Sequence, residues 1–412
     1  MSRPGPVSLS GPLFVVAFSC CVLQILSSKG FGPGIGWESV AIAKQLALTG
    51  DYANPFRAGP SGPTAVIPPL FPLWLSVLFR VFPERPAFNL AAAFAAVLAQ
   101  CLHASLLPAV AQRVFRSEIP GIFAGLLSAF AFRLMPQWDA VFTATGILLF
   151  VVCSKACTWR GSAAAGLCAG VLLLGNASSI LVTAPWIAYL CRMEKVSLLR
   201  RGAVFVAAAS LVVLPWMIRN QIQLGSFTLK DNFGMTAYSS NNDCASAAIA
   251  TDIQNGCYDS MHPNSSAREL ALLTKLGECG YDRLRTADTL RWVRSNPAKF
   301  ARLTAARFRE FWFPSLIPMN VFTLVIWLAT GLSLPGLALL LQRQHPVSGY
   351  LLAVLSIYPL MYYVVVSDVR YRYPVLWITL LPAGYFLTEL CGTIRSIVPI
   401  VRLTKRSASS FE

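Results

Sequence analysis

Of the chain's 412 residues, 55% are hydrophobic and only 13% charged, whereas a soluble domain carries about 25% charged residues. One charge in hydrocarbon costs about 2.5–3.5 kcal/mol, so this deficit points to a membrane protein. The net charge of +16 is scattered over short loops between apolar runs. No compact basic and aromatic module accompanies it, which sets nucleic acid aside as a partner.

The elements run as follows. After Arg3, residues 11–27 form an apolar run with no small-residue cleavage site behind it, the pattern of an uncleaved signal-anchor. A polar stretch, 28–66, opens on the glycine-rich run 30–36. Within it Val40, Ala43, Leu46 and Ala47 recur at helical spacing from Glu38 to Thr49, and Gly50 stops the pattern. That predicts a short helix lying on the membrane surface. Residues 67–82 are apolar but hold Pro68, Pro69 and Pro72. Spans are predicted near 87–112, 119–135, 140–154, 162–175, 177–191 and 203–218. A polar region, 219–313, follows, with amphipathic helices predicted over 266–295 and 297–313. The last spans fall near 315–342, 347–366 and 374–392, before a basic tail.

Lys and Arg set the orientation. With 67–82 half-embedded rather than crossing, every basic cluster falls on one side: Arg113/Arg116, Lys155/Arg160, Arg192/Lys195/Arg200/Arg201, Arg343 and Arg395/Arg402/Lys405/Arg406. The expectation is an all-α polytopic membrane protein of about ten spans plus external juxtamembrane helices, with both termini cytoplasmic. It divides into an N-terminal module 1–218 carrying a first external loop (28–86), a large external region 219–313, and C-terminal helices with a basic tail, 314–412.

Most of the eleven cysteines lie inside apolar runs, and the three histidines are scattered, so no metal site is predicted. Cys244 and Cys257 can pair if the outside is oxidising, which leaves Cys279 unpaired. Asn264-Ser265-Ser266 matches a glycosylation sequon that matters only in a eukaryotic lumen. The stripe Arg291, Arg294, Lys299, Arg302, Arg307 and Arg309 reads as headgroup anchoring.

Several polar residues stand at external span ends, where they can work on a lipid headgroup. Glu38 is the first acid in the chain and opens the surface helix; Asp139, after Pro136-Gln137-Trp138 and near Arg133, edges the third span. Arg219-Asn220 closes the seventh span. Asp368-Val369-Arg370-Tyr371-Arg372-Tyr373-Pro374 links the last two, and the positive-inside bias disfavours paired arginines there. Arginine's planar fork of donors suits phosphate. Snorkelling and aromatic anchoring by Trp216, Tyr371 and Tyr373 would account for the same arginines.

In order, these motifs resemble the GT-C superfamily of membrane glycosyltransferases, in the branch of the protein mannosyltransferases and lipid A aminoarabinose transferase. Ala41-Ile42-Ala43, Leu46 and Thr49-Gly50-Asp51-Tyr52 resemble its first-loop helix. Pro63-Thr64-Ala65-Val66-Ile67-Pro68-Pro69-Leu70-Phe71-Pro72 resembles its proline-rich segment. Trp138-Asp139, Pro215-Trp216-Met217-Ile218-Arg219-Asn220 and Arg370-Tyr371-Arg372-Tyr373-Pro374 match later landmarks. The resemblance implies an inverting transfer from a polyprenyl-phosphate sugar to an acceptor hydroxyl on the periplasmic face of a bacterial inner membrane. Glu38 and Asp139 are the expected catalytic acids. Arg219, Arg370, Arg372 and Arg133 are expected on the lipid phosphate, and Asn220, Tyr371 and Trp138 around the pocket. The chain departs from the family at two points: Ile35 stands where the family's acid is expected, three residues before Glu38, and Ile67 replaces the lysine before the double proline. A catalytically inactive relative acting as a membrane partner, and a lipid transporter or flippase, are the competing classes.

Overall fold

The computed structural model describes residues 10–27, 38–315 and 320–408, with side chains to 393. Ile35 and the whole glycine-rich run, 30–36, lie outside the described residues, as do the side chains of the basic tail.

Ten helices lie on the ten predicted spans: α1 (Ser10–Ser27), α4 (Arg85–Phe115), α5 (Ile119–Ala131), α6 (Ala140–Cys153), α7 (Trp159–Gly175), α8 (Ile180–Met193), α9 (Leu198–Leu224), α15 (Val321–Gln342), α16 (Val347–Ile357) and α18 (Leu376–Ala408). Between them come α2 (Glu38–Thr49), α3 (Leu70–Val81), α10 (Phe233–Ser240), α11 (Ile249–Gln254), α12 (Cys257–Met261), α13 (Ala267–Ser295), α14 (Pro297–Trp312) and α17 (Leu360–Val364). Among the described residues there is no strand, only two isolated bridges. Among the described residues six segments are long and apolar enough to cross a bilayer: α1, α4, α9, α15, the α16–α17 pair and Val369–Thr393. The others expected to span are shorter. The 12-residue α3 is about 18 Å long, too short to cross alone, as its prolines suggested. The chain is an all-α, polytopic integral membrane protein.

Small residues let the spanning helices approach closely. A Cβ built on Gly384 of α18 would stand 2.0 Å from the Pro120 carbonyl oxygen of α5, and one on Gly336 of α15 would stand 2.0 Å from that of Pro382. Either substitution forces two backbones apart.

Polar and basic connections separate to opposite ends of the bundle. At one end the turns after α4, α6, α8 and α15 are short. There Arg113 donates to the carbonyls of Val152 and Ser154, Arg201 donates to Cys157 O at 3.1 Å, and Arg343 meets Glu389 at 2.7 Å. At the other end the long connections interlock. Gln24 of α1 donates to Phe132 O at 3.0 Å, Arg133 N–H donates to the Tyr373 hydroxyl at 2.9 Å, and Ala248 bridges Ser367.

Two expectations need correction. The buried residues of α2 are Glu38, Ser39, Ile42 and Ala43, so of the apolar positions read from the sequence only Ala43 is among them. The helix is turned so that its acid points into the protein, where cations wait for it. And Arg307 does not belong to a headgroup-facing stripe. It is fully buried, donating to Asn241 Oδ1 (3.0 Å), Val364 O (2.8 Å) and Ser240 O. It cross-links α14 to the segments after α10 and α17. Arg302 and Arg309 remain exposed.

Candidate functional site

The first loop is pinned before it can present a residue. Gly50 ends α2 with φ +82°, a left-handed turn that glycine adopts without strain. The strand-like segment beyond it is tied at 52–65 by two groups. Arg219 of α9 donates to Tyr52 O (2.8 Å) and Thr64 O (2.7 Å) and lies over the Trp216 and Tyr52 rings. Glu278 of α13, just after a break in the helix at Gly277, accepts from Thr64 Oγ1 (2.5 Å) and Ala65 N–H (2.6 Å). Ala65 O in turn accepts Asp231 N–H at 2.9 Å, fixing the segment that carries Lys230. The Cys279 thiol, expected unpaired, donates to Asp231 at 2.8 Å; burial and that carboxylate push it up to about 12.

Within this frame a cluster of charges forms. Glu38 is 7% exposed. Burial pushes its carboxyl above the ordinary range, and Arg370, Lys230 and Arg57 pull it back down. Lys230 interacts with Asp139 and Glu38, with Arg370 opposing. Its surface is open to solvent, yet burial pushes its ammonium down. Asp139, at the start of α6, accepts from Asn176 Nδ2 at 2.7 Å; Asn176 is itself fixed by Ser178 N–H (3.0 Å) and Oγ (2.6 Å).

Arg370 sits on the seven-residue 3-10 segment Val369–Val375 leading into α18. Asp368 accepts its N–H at 3.0 Å and faces its Nε at 3.5 Å. The guanidinium lies over the Trp138 ring and beside Tyr371, and its buried Nε has no hydrogen-bond partner. Tyr371 stacks on Tyr362 at 4.8 Å, and its carbonyl accepts from the Tyr358 hydroxyl. On the far side of Glu38 is His262, stacked on Tyr258.

Of the residues singled out in the sequence, Glu38, Asp139, Arg370, Tyr371 and Trp138 are brought together. Four others are engaged elsewhere. Arg219 holds the first loop, as above. Asn220 is buried, accepting from Arg219 at 3.0 Å and donating to Thr228 O at 2.8 Å. Arg372, 2% exposed, points into the bundle and donates to Trp312 O (2.8 Å), Thr330 (2.7 Å) and Thr379 (3.3 Å). Arg133 is exposed, and its backbone rather than its guanidinium meets Tyr373.

Sequence reasoning missed Lys230, Asn176, His262 and Glu278. Lys230 had a signal. It is a cation in the region expected to be external, where the positive-inside bias disfavours one, the same argument that singled out Arg370. Asn176 and His262 had none, because neutral polar residues in loops are ordinary. Among the described residues no group of three or more His, Cys, Asp or Glu could hold a metal ion.

No family model matches the chain, and neither does any curated protein sequence. Solved structures do. The apo oligosaccharyltransferase of Archaeoglobus fulgidus aligns with 97% of this chain at 13% identity and a TM-score of 0.56. The same organism's oligosaccharyltransferase AglB, in complex with an inhibitory peptide and a dolichol-phosphate, aligns with 96% at 13% identity and a TM-score of 0.54. This chain spans about half of each, 52% of their length. ArnT from Cupriavidus metallidurans, bound to undecaprenyl phosphate, aligns more loosely, with a TM-score of 0.40 at 14% identity over 95% of this chain and 80% of its own. Likeness across nearly the whole chain at such low identity is a likeness of fold. The chain therefore shares the fold of these two oligosaccharyltransferase structures over nearly its whole length.

Proposed function

We propose that the chain is a membrane glycosyltransferase that moves a sugar from a polyprenyl-phosphate donor to an acceptor hydroxyl on the non-cytoplasmic face of the membrane, with inversion. The observation that carries this reading is one cluster holding a buried carboxylate, a second carboxylate and two cations: Glu38, Asp139, Lys230 and Arg370. A transferase needs a base for the acceptor, cations for the leaving phosphate and access from the bilayer. Dolichol-phosphate bound to the fold neighbour AglB supports a lipid-phosphate ligand.

In this reading the phosphate lies between Arg370 and Lys230. The guanidinium offers a rigid edge held against Trp138, and the ammonium a point charge from the opposite loop. The acceptor oxygen attacks the anomeric carbon from the face opposite the phosphate. The carbon–oxygen bond to phosphate breaks, its electron pair stays on the phosphate, and the acceptor's proton passes to Glu38. Burial favours that step, since a carboxylate raised toward neutrality is a stronger base than an exposed one. Asp139, oriented by Asn176, holds Lys230 in place or accepts from a sugar hydroxyl. An apolar groove of about 180 Å³, lined by Leu173, Ile180, Phe205, Val213, Leu214 and Met217, starts beside the Asn176 turn and suits a prenyl chain.

Mass spectrometry of the lipids and glycans of cells with and without the chain identifies the product. Glu38→Gln is expected to abolish that product while the protein still accumulates in the membrane. Undiminished product from the variant removes Glu38 from the mechanism.

A further inference from the structure

The imidazole beside Glu38 has only one way to hold its proton. His262 lies in the turn after α12 and is 5% exposed. Its Nδ1 accepts the backbone N–H of Asn264 at 3.1 Å. An accepting Nδ1 carries a lone pair, so in the neutral ring the proton must be on Nε2. That nitrogen faces Glu38 Oε1 at 3.8 Å. The ring cannot swing away. Tyr258 stacks on one face (4.6 Å, 15° between planes), Phe56 meets its edge at 6.0 Å, and the His262 backbone is fixed by Tyr258 O and by Ser265 and Ser266.

We infer that His262 is a positioning residue whose Nε2–H, set by the Asn264 amide on Nδ1, is held toward Glu38 and orients its carboxylate. At 3.8 Å the contact is longer than a hydrogen bond, and a small approach of the two side chains on binding closes it. The role needs a neutral ring. An imidazolium would turn Nδ1 into a donor against the Asn264 N–H, and burial holds the ring's pKa down at about 3. His262 therefore does not compete with Glu38 for the acceptor's proton. The other groups bearing on Glu38 are Arg370, Lys230, Arg57, Tyr258 and Tyr371. The first three are cations, and His262 is a short, clamped donor. Its importance for turnover rests on Glu38 being the base; the tautomer and the pairing do not.

The chain has three histidines, so its ring nitrogens can be followed by 15N NMR of the full-length, histidine-labelled protein in nanodiscs, with His262→Gln assigning the signal. The expected spectrum shows Nδ1 unprotonated and Nε2 protonated from pH 5 to 8, with the Nε2–H resonance displaced in Glu38→Gln. A protonated Nδ1, an imidazolium in that range, or a resonance indifferent to Glu38→Gln overturns the inference. A hydrophobic carbodiimide, which labels only protonated carboxyls, gives the second measurement. Removing the donor with His262→Phe, which keeps the stacking, is expected to move the labelling midpoint of Glu38 up by about one pH unit, and His262→Gln, which keeps a donor, to restore it. Equal midpoints in all three proteins overturn it. Neither measurement requires sugar transfer, so failure of the transferase reading leaves a separate signature.

Discussion

The guanidinium carbon of Arg370 lies 3.3 Å from the centroid of the Trp138 ring, and that contact joins two loops more than two hundred residues apart in sequence. Trp138 precedes α6 and Arg370 precedes α18, so the pair closes the same end of the bundle that holds Glu38. A planar cation stacked on an indole is fixed in orientation, and an ammonium at the same place would not be.

Arg370→Lys therefore tests geometry rather than charge. Binding of a polyprenyl phosphate, measured in detergent by titration, is expected to weaken about tenfold or more, because the bidentate edge is lost while the positive charge stays. The melting temperature is expected to move little, since Asp368 retains a cationic neighbour. Unchanged affinity would move the phosphate away from this arginine.

Arg219 gives the opposite expectation. Its donors already serve Tyr52 O, Thr64 O and Asn220 Oδ1. Arg219→Gln leaves two carbonyls of the first loop without their charged donor, a loss of about 1–3 kcal/mol per group. Thermal unfolding of the variant is expected at distinctly lower temperature, with lipid-phosphate affinity of the folded fraction preserved. A variant as stable as the parent but unable to bind the lipid would return Arg219 to the site.

The contrast between these arginines shows how far the sequence could be read. Hydropathy located a helix at each of the ten apolar runs, six of them in segments long enough to cross a bilayer, because such runs have few alternatives in a membrane. The Glu38–Thr49 helix, its Gly50 stop and the proline-broken Leu70–Val81 segment were equally legible. Direction was not. Arg370 and Arg372 are two residues apart on a tight turn, and that spacing sends one guanidinium onto Trp138 and the other into the bundle toward Trp312 and Thr330. Nothing local distinguishes them; only the packing of α14, α15 and α18 does. Nor did the apolar pattern of α2 show that Glu38 would be buried beside Ala43. Lys230 could have been found by charge bias alone, whereas Asn176 needed the fold.

Glu278 makes stability depend on pH. Burial, with Asp231 adding to it, pushes its carboxyl up to about 8, while Arg219 and the bonds from Thr64 and Ala65 act the other way. The folded protein thus holds a proton that the unfolded chain, with an ordinary value of 4.5, releases. For a raised carboxyl the associated stability is complete below 4.5 and is lost as pH climbs through 8. The melting temperature should accordingly fall between about pH 4.5 and 8 and level off above that. Glu278→Gln keeps an acceptor for Ala65 N–H and offers a donor to Thr64 without any charge. It is expected to flatten that slope and to melt higher than the parent at alkaline pH. A slope that survives the substitution would assign it to other groups.

The disulfide between Cys244 and Cys257 reaches both flanks of the cleft through the loop it closes. Inside that loop Ala247 O accepts Ser367 N–H at 2.8 Å and Ile249 N–H donates to Ser367 O at 3.1 Å, just before the Asp368 that grips Arg370. Immediately after it, Tyr258 stacks on His262 against Glu38. Closing a loop of this size stabilises a fold by about 2–4 kcal/mol, largely by restricting the unfolded chain. Replacing both cysteines by serine is thus expected to lower the melting temperature, and a general loss of stability would end there. The connectivity asks for more: amide hydrogen exchange should rise selectively at 365–368 and 258–262 under conditions where α4 and α18 stay protected. Uniformly faster exchange across the chain would mean that the bridge stabilises the protein without holding the site.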